Sequence, residues 1–279
     1  MSDAITEVLD VVTRMAPQIR AGLTGRREYE TAENPSGEQK LAADVHADQQ
    51  LEDRLLDIDA VGSYASEERE TVVESRGNYH VACDPLDGSS NLRSNNTMGT
   101  LFGVYDEPLP APGRALVASG FVLYGPITTM VTARDGVVTE SVVEEGGREV
   151  VTENLRLPAE PTVYGFGGRS PEWSDAFTQY VSEIRTELKL RYGGAMIGDV
   201  NQVLTYGGIF GYPGLESRPD GKLRLLFEGH PIAYVVESAG GGSSNGEHSL
   251  LECEPDHLHE RTPLFVGNDE YVRRLRERI

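Results

Sequence analysis

Asp84 and Asp87 stand three residues apart in the run Asp84-Pro85-Leu86-Asp87-Gly88-Ser89-Ser90-Asn91. On one turn, a hard divalent cation can take an oxygen from each, and the Leu86 carbonyl faces the same space. Gly88, Ser89, Ser90 and Asn91 follow with uncrowded N–H groups and small hydroxyls. Successive donors of that kind in turn geometry make an anion-binding concavity. Metal ligands followed directly by phosphate donors point to metal-assisted phosphate chemistry. The competing reading is a plain surface turn, because Asp, Pro, Gly, Ser and Asn are the commonest turn formers and a bare D-x-x-D-G is a weak signal.

Other residues able to do chemistry are scattered along the chain. Asp44 and Asp48 are four apart, which on a helix reads as a solvated acidic stripe, with Asp48 on the surface. Glu67 and Glu68 are adjacent, and in a chain this acidic they read as exposed charge. Lys222 is one of three lysines, with Lys40 and Lys189, and precedes Glu228 by six residues. Arg191-Tyr192 and Tyr212 stand beside glycine-rich segments, and the ordinary role of such tyrosines is core packing with a satisfied hydroxyl. The histidine pair His257 and His259 reads as isolated surface residues.

Stepping from these residues to the elements that carry them, Tyr79 to Cys83 reads as a short strand that Pro85 ends, since proline cannot donate to a sheet ladder. Ile5, Val8, Leu9 and Val12 predict an opening amphipathic helix, distorted at Pro17 and finished by Gly22. Asn34-Pro35-Ser36-Gly37 is turn chemistry, and a second helix is expected from about Glu38 to Asp57, packing Leu41, Val45, Leu51 and Leu55. Short β-rich runs occupy Leu101 to Tyr105, Ala115 to Tyr124, Ile127 to Ala133 and Val137 to Val143, the last after the hairpin signal Asp135-Gly136. Ser170 and Pro171 predict the start of a helix carrying Trp173, Phe177, Tyr180, Val181, Ile184 and Leu188. Alternation follows: Asp199 to Tyr206 helical, Leu223 to Phe227 extended, Pro231 to Ser238 helical, Leu264 to Val266 extended, Asp269 to Arg276 helical. The expected fold is α/β, more closely α+β layered, with a mixed or antiparallel N-terminal sheet and a smaller α/β C-terminal half. A boundary near Pro158 and Pro161 divides residues 1–160 from 161–279.

The 279 residues carry 45 acidic and 25 basic side chains, a net charge of −20. Such a field repels nucleic acid and anionic membrane, and it repels a phosphate ester unless cations intervene. Scarce lysine with acidic excess fits a high-salt cytoplasm, where screening removes self-repulsion. Cys83 and Cys253 have no metal spacing and read as reduced thiols. With no long apolar run, cleavable signal or lipidation motif, the expectation is a cytoplasmic protein.

The run DPLDGSSN resembles the signature of class I fructose-1,6-bisphosphatases, members of the lithium-sensitive, magnesium-dependent phosphatase superfamily with the sugar-phosphatase fold. The resemblance extends from about Gly37 through Ser66-Glu67-Glu68, Thr100 to Tyr105, Tyr206 to Phe210 and Gly221 to Glu228 to the C-terminal helix. It implies hydrolysis of the 1-phosphate of fructose 1,6-bisphosphate in gluconeogenesis. Implied metal ligands are Glu67, Asp84, the Leu86 carbonyl, Asp87 and Glu228, holding two or three Mg²⁺ per site, with Mn²⁺ or Zn²⁺ as substitutes. Asp44 and Glu68 would be the catalytic pair that orients or deprotonates water. Asp87, Gly88, Ser89 and Ser90 would hold the phosphate, Met196 and Lys222 would meet the sugar, and Tyr192 and Tyr212 would grip the 6-phosphate. Arg191 would reach that phosphate in a neighbouring subunit, which implies a homodimer or homotetramer.

The chain departs from the family at Gly167-Gly168-Arg169-Ser170, where members usually show Asn-Glu-Gly-Tyr. It also begins too late for the threonine-rich AMP loop of eukaryotic members and has Asn78-Tyr79 for their Lys-Tyr pair, so AMP inhibition of that kind is not expected. The nearest alternative is a broader superfamily phosphatase acting on inositol phosphate or a nucleotide bisphosphate. Those relatives usually carry a late Trp-Asp pair, whereas Trp173 here precedes Ser174. A noncatalytic sugar-phosphate sensor is opposed by the intact Asp44 and Glu68, and a two-carboxylate glycosidase would need no phosphate cradle.

Overall fold

The computed structural model describes residues 3–35, 37 and 39–279. Ser36 of the expected turn and Glu38 of the expected helix start lie outside the described residues. Among the described residues, two large sheets are separated and flanked by helices, in five layers, and two pairs of short strands, Tyr29–Glu33 with Gln39–Leu41 and Leu223–Arg224 with Arg261–Thr262, stand apart from them.

The larger sheet has eight strands in the spatial order Gly147–Thr152, Val137–Glu144, Thr128–Arg134, Leu116–Tyr124, Met98–Tyr105, Tyr79–Asp87, Val61–Ser66 and Val73–Glu74. Its neighbours are antiparallel except Val61–Ser66 on Tyr79–Asp87, which pair in parallel. Side chains of a strand alternate between faces. Phe102, Val104 and Val122 therefore pack with Val8, Val12, Leu51 and Leu55 of the helices Ala4–Gly22 and Ala42–Leu55. Leu101 and Phe121, one residue out of phase, pack on the other side with Ile197, Val200, Ile232 and Val236 of the helices Met196–Tyr206 and His230–Ser238.

Those two helices also cover the smaller sheet, ordered Lys189–Leu190, Val163–Phe166, Gly208–Tyr212, Leu264–Gly267 and Gly242–Ser244. Its far face packs Phe166, Ile209 and Phe265 against Phe177, Tyr180 and Leu275 of the outer helices Asp175–Glu187 and Asp269–Arg276. The hairpin signal holds: Asp135 and Gly136 both have positive φ, 50° and 73°, joining Thr128–Arg134 to Val137–Glu144.

Several local expectations are corrected. The first helix runs unbroken through Pro17 from Ala4 to Gly22. Pro85 does not end its strand, which continues to Asp87 across a register shift: Asp84 lies opposite Leu101 but Asp87 opposite Gly99. The extra residue is a bulge, where a missing N–H costs no ladder bond, and the Thr100 hydroxyl donates to the Pro85 carbonyl at 2.9 Å. Ser170 and Pro171 form a separate 3₁₀ turn, and Ser174 caps the following helix by accepting the Phe177 N–H at 3.2 Å. The strand at Leu223 is two residues long, and Leu225–Gly229 winds as a π turn that carries Glu228. Asp48 is 5% exposed, not a surface residue. Both cysteines are free thiols, and burial pushes the Cys83 thiol well above its usual range.

Candidate active site

A cavity of about 440 Å³ is lined by Asp44, Glu67, Glu68, Asp84, Leu86, Asp87, Gly88, Ser89, Ser90, Tyr192, Met196, Tyr212, Lys222 and Glu228. Every residue singled out in the sequence for the site is among these except Arg191. The Arg191 guanidinium lies 4.7 Å from the Tyr206 ring centre and donates to Gln202 Oε1 at 3.1 Å, outside the cavity.

The carboxylates come from four elements. Asp44 sits in the first turn of Ala42–Leu55, where its Oδ2 accepts the Leu41 N–H at 2.8 Å. That bond fixes the carboxylate at the positive end of the helix. Glu67 and Glu68 follow the strand Val61–Ser66 directly, and the Glu67 N–H still donates to the Cys83 carbonyl at 3.1 Å. Asp84 and Asp87 flank the bulge. Glu228 is brought back by the π turn, accepting the Arg224 N–H at 2.6 Å.

Glu67, Asp84 and Glu228 each present an oxygen, and the three lie within 4.8 Å of one another. Like charges so close repel, and burial removes the water that would screen them. Burial first, then neighbouring carboxylates, therefore pushes Asp84 and Glu228 well above the usual carboxylate range. Burial also raises Asp87, to about 7, while the Ile197 N–H and Lys222 oppose the rise. A cluster of hard oxygen donors held against its own repulsion fits a hard divalent cation. Asp87 stands beside this cluster, with Oδ2 accepting the Ile197 N–H at 2.8 Å. It thereby serves the N-terminus of Met196–Tyr206, whose own flanking residue Ala195 has no side-chain cap. The Leu86 carbonyl accepts the Ser89 N–H at 3.1 Å and keeps a second lone pair.

Gly88 is required where it stands. Its φ is +73°, and a Cβ there would lie 2.2 Å from the Ala195 Cβ. The close approach brings Ser89 and Ser90 against the loop before Met196, and Asn91 Nδ2 donates to the carbonyls of Thr97 at 2.9 Å and Gly193 at 3.0 Å. Lys222 closes the far side, its Nζ 5.7 Å from the Tyr212 ring centre. Tyr212 in turn lies on Gly167, where a Cβ would come within 2.1 Å of the ring. Gly167 thus leaves the space this tyrosine occupies, while a Cβ on Gly168 would meet Leu215 and Trp173 instead.

One charged residue lining the cavity escaped the sequence reading. Arg224 is buried, and its Nη1 lies 3.0 Å from Glu67 Oε1, so a guanidinium stands inside the acidic cluster. The available signal was an arginine between Leu223 and Leu225 in an apolar run, where a charged side chain needs a buried partner.

Two family models match the chain: "Fructose-1-6-bisphosphatase, N-terminal domain" over residues 4–150 and "Fructose-1-6-bisphosphatase, C-terminal domain" over residues 157–279. Among curated proteins, the chain is 72% identical over 278 residues to a "Fructose-1,6-bisphosphatase class 1" of Natronomonas pharaonis, covering 99% of this chain and 98% of that protein. It is 58% identical to one of Halobacterium salinarum, covering 99% and 97%. Among solved structures, the Leishmania major fructose-1,6-bisphosphatase in holo form aligns with a TM-score of 0.92 at 28% identity, covering 99% of this chain and 95% of that one.

Proposed function

Because the chain belongs to the class 1 fructose-1,6-bisphosphatase family, we propose that its acidic cavity is the place where a sugar bisphosphate loses one phosphate. The protein is a phosphoric monoester hydrolase that converts fructose 1,6-bisphosphate to fructose 6-phosphate and phosphate, a gluconeogenic reaction. Its acidic surface and its relatives in halophilic archaea agree on a high-salt setting. The observation that carries the reading of the site is the buried Glu67, Asp84 and Glu228 cluster sharing one cavity with Ser89, Ser90 and Lys222.

In this reading Glu67, Asp84, the Leu86 carbonyl, Asp87 and Glu228 hold two or three Mg²⁺, with Mn²⁺ or Zn²⁺ as substitutes. Mg²⁺, when bound, neutralises charge on the phosphoryl and leaving oxygens. Asp44 and Glu68 align a water with the phosphorus and take its proton. Gly88, Ser89 and Ser90 orient the phosphate being removed, and Arg224 adds a fixed positive charge beside it. Met196 meets the sugar, while Lys222, Tyr192 and Tyr212 hold the phosphate that stays. Residues 1–160 thus supply most of the metal and water chemistry and residues 161–279 most of the sugar-phosphate contacts. Arg191, turned away from its own cavity, serves the site of a second copy in a homodimer or homotetramer. No helix among the described residues is long and apolar enough to cross a membrane, and we place the enzyme in the cytoplasm.

The test is phosphate release from fructose 1,6-bisphosphate with and without Mg²⁺ in molar KCl, beside inositol 1-phosphate and a nucleotide bisphosphate. Mg²⁺-dependent release from the sugar bisphosphate alone is the expected result. Equal release from all three would assign the broader superfamily activity instead.

A further inference from the structure

Behind the candidate water-activating pair lies a partly buried ionic network that the reaction itself does not use. Asp44, Asp48 and Glu52 recur every four residues along Ala42–Leu55, so they share one face of that helix. Asp44 lines the cavity; Asp48 and Glu52 run back from it. Both are met by one side chain: Arg69 Nε lies 2.8 Å from Asp48 Oδ2, and the same guanidinium pairs with Glu52. Asp48 Oδ1 also accepts the Tyr64 hydroxyl at 3.0 Å, from the strand leading into Glu67 and Glu68.

The backbone of Arg69 is held as firmly. Its N–H donates to the Ser66 carbonyl at 3.1 Å, closing a turn around Glu67 and Glu68, and the Glu68 N–H donates to Ser66 Oγ at 3.1 Å. Its carbonyl accepts His259 Nε2–H at 2.7 Å, and the His259 ring lies 5.3 Å from that of Phe227, the neighbour of Glu228. One residue therefore ties the turn bearing Glu68 to the helix bearing Asp44 and to the segment bearing Glu228.

We propose that Arg69 is a positioning residue, setting the separation of Asp44 and Glu68 by clamping the Glu67–Arg69 turn to Asp48 and Glu52. This rests on the reading of Asp44 and Glu68 as the pair that activates water. A guanidinium suits the task because its planar fork spans two carboxylates at once, which a lysine ammonium cannot do with fixed geometry. The clamp touches no substrate, so its loss should act on turnover and spare substrate binding.

The experiment compares kcat and KM for fructose 1,6-bisphosphate, with Mg²⁺ in molar KCl, across the wild type, Arg69→Lys, Arg69→Met and the triple change Asp48→Asn, Glu52→Gln, Arg69→Met. Thermal unfolding of each variant is recorded beside the kinetics. Misplacing a catalytic group by a fraction of an ångström costs about tenfold or more, so Arg69→Met should lower kcat by about that factor with KM within about twofold. Arg69→Lys should fall between. The triple change removes all three charges together, so no buried carboxylate is stranded and the fold survives the loss of the clamp. Its kcat should still fall by about tenfold. In a Glu68→Gln background, Arg69→Met should cost less than about twofold more, because residues acting through one group are not additive. A folded triple variant with wild-type kcat, or an equal loss in both backgrounds, would overturn the proposal. Absence of phosphate release by the wild type would instead remove the functional reading beneath it.

Discussion

Stripped of divalent cations, this protein should gain stability on acidification from pH 8 to pH 5. The cause is the buried set of Asp84, Asp87 and Glu228, whose carboxyls burial pushes upward, Asp87 to about 7. The sign follows from proton counts. Between roughly pH 4 and pH 7 the folded chain keeps a proton on Asp87 that the unfolded chain has released, and stability falls with rising pH wherever the folded state binds more protons. Above pH 7 the group is ionised in both states, and its full cost is constant. For Asp87 alone, the two units between pH 7 and pH 5 correspond to roughly 3 kcal/mol at 1.36 kcal/mol per pH unit. In a chain of 279 residues that is roughly 5 °C in Tm. The assay is calorimetry in EDTA and molar KCl, where salt suppresses the general repulsion of a chain of net charge −20. Asp87→Asn should flatten the slope. Saturating Mg²⁺ should reverse it, since metal binding needs deprotonated ligands and so stabilises more at pH 8 than at pH 5. A metal-free Tm that rises from pH 5 to pH 8, or an Asp87→Asn variant with an unchanged slope, would refute the reasoning.

Gly88→Ala should lower kcat about tenfold or more in a folded protein, because the added methyl meets Ala195 and the φ of +73° disfavours it; wild-type kinetics would show that the turn yields. Lys222→Gln should raise KM for fructose 1,6-bisphosphate about tenfold or more while leaving the metal-free Tm within about 2 °C, since Lys222 is a partly exposed cation facing the cavity; an unchanged KM would remove it from the substrate contacts. Micromolar AMP should leave phosphate release unaltered, since the family resemblance implies that Asn78-Tyr79 replaces the Lys-Tyr pair of eukaryotic members; strong inhibition would mean a nucleotide site built from other residues.

The two-sheet layering was legible because each strand's alternation and each helix's stripe are local, and the hairpin at Asp135-Gly136 is written in two adjacent residues. The signature turn was legible for the same reason. Asp48 was not: its burial depends on Arg69, delivered by a strand that pairs only after the sheet assembles, so an acidic stripe in isolation reads as solvated. Arg224 was hidden likewise, since its partner Glu67 lies in the turn after a distant strand. Ser174 displaced Ser170 as the cap because Pro171 settled into a turn of its own, and two serines so close give the same local signal.

The bulge at Pro85 has a consequence for how the chain can vary. In a regular strand, residues an odd number of positions apart point to opposite sides, so Asp84 and Asp87 would look into different layers. The single extra residue restores their parity, and both reach the cavity. The site is thus encoded by count as much as by chemistry. Exchanges of Leu86 for another apolar residue leave the count intact. Inserting one residue between the aspartates while the single bulge persists would keep every ligand type and still turn one carboxylate away from its partners, so this stretch tolerates added length poorly.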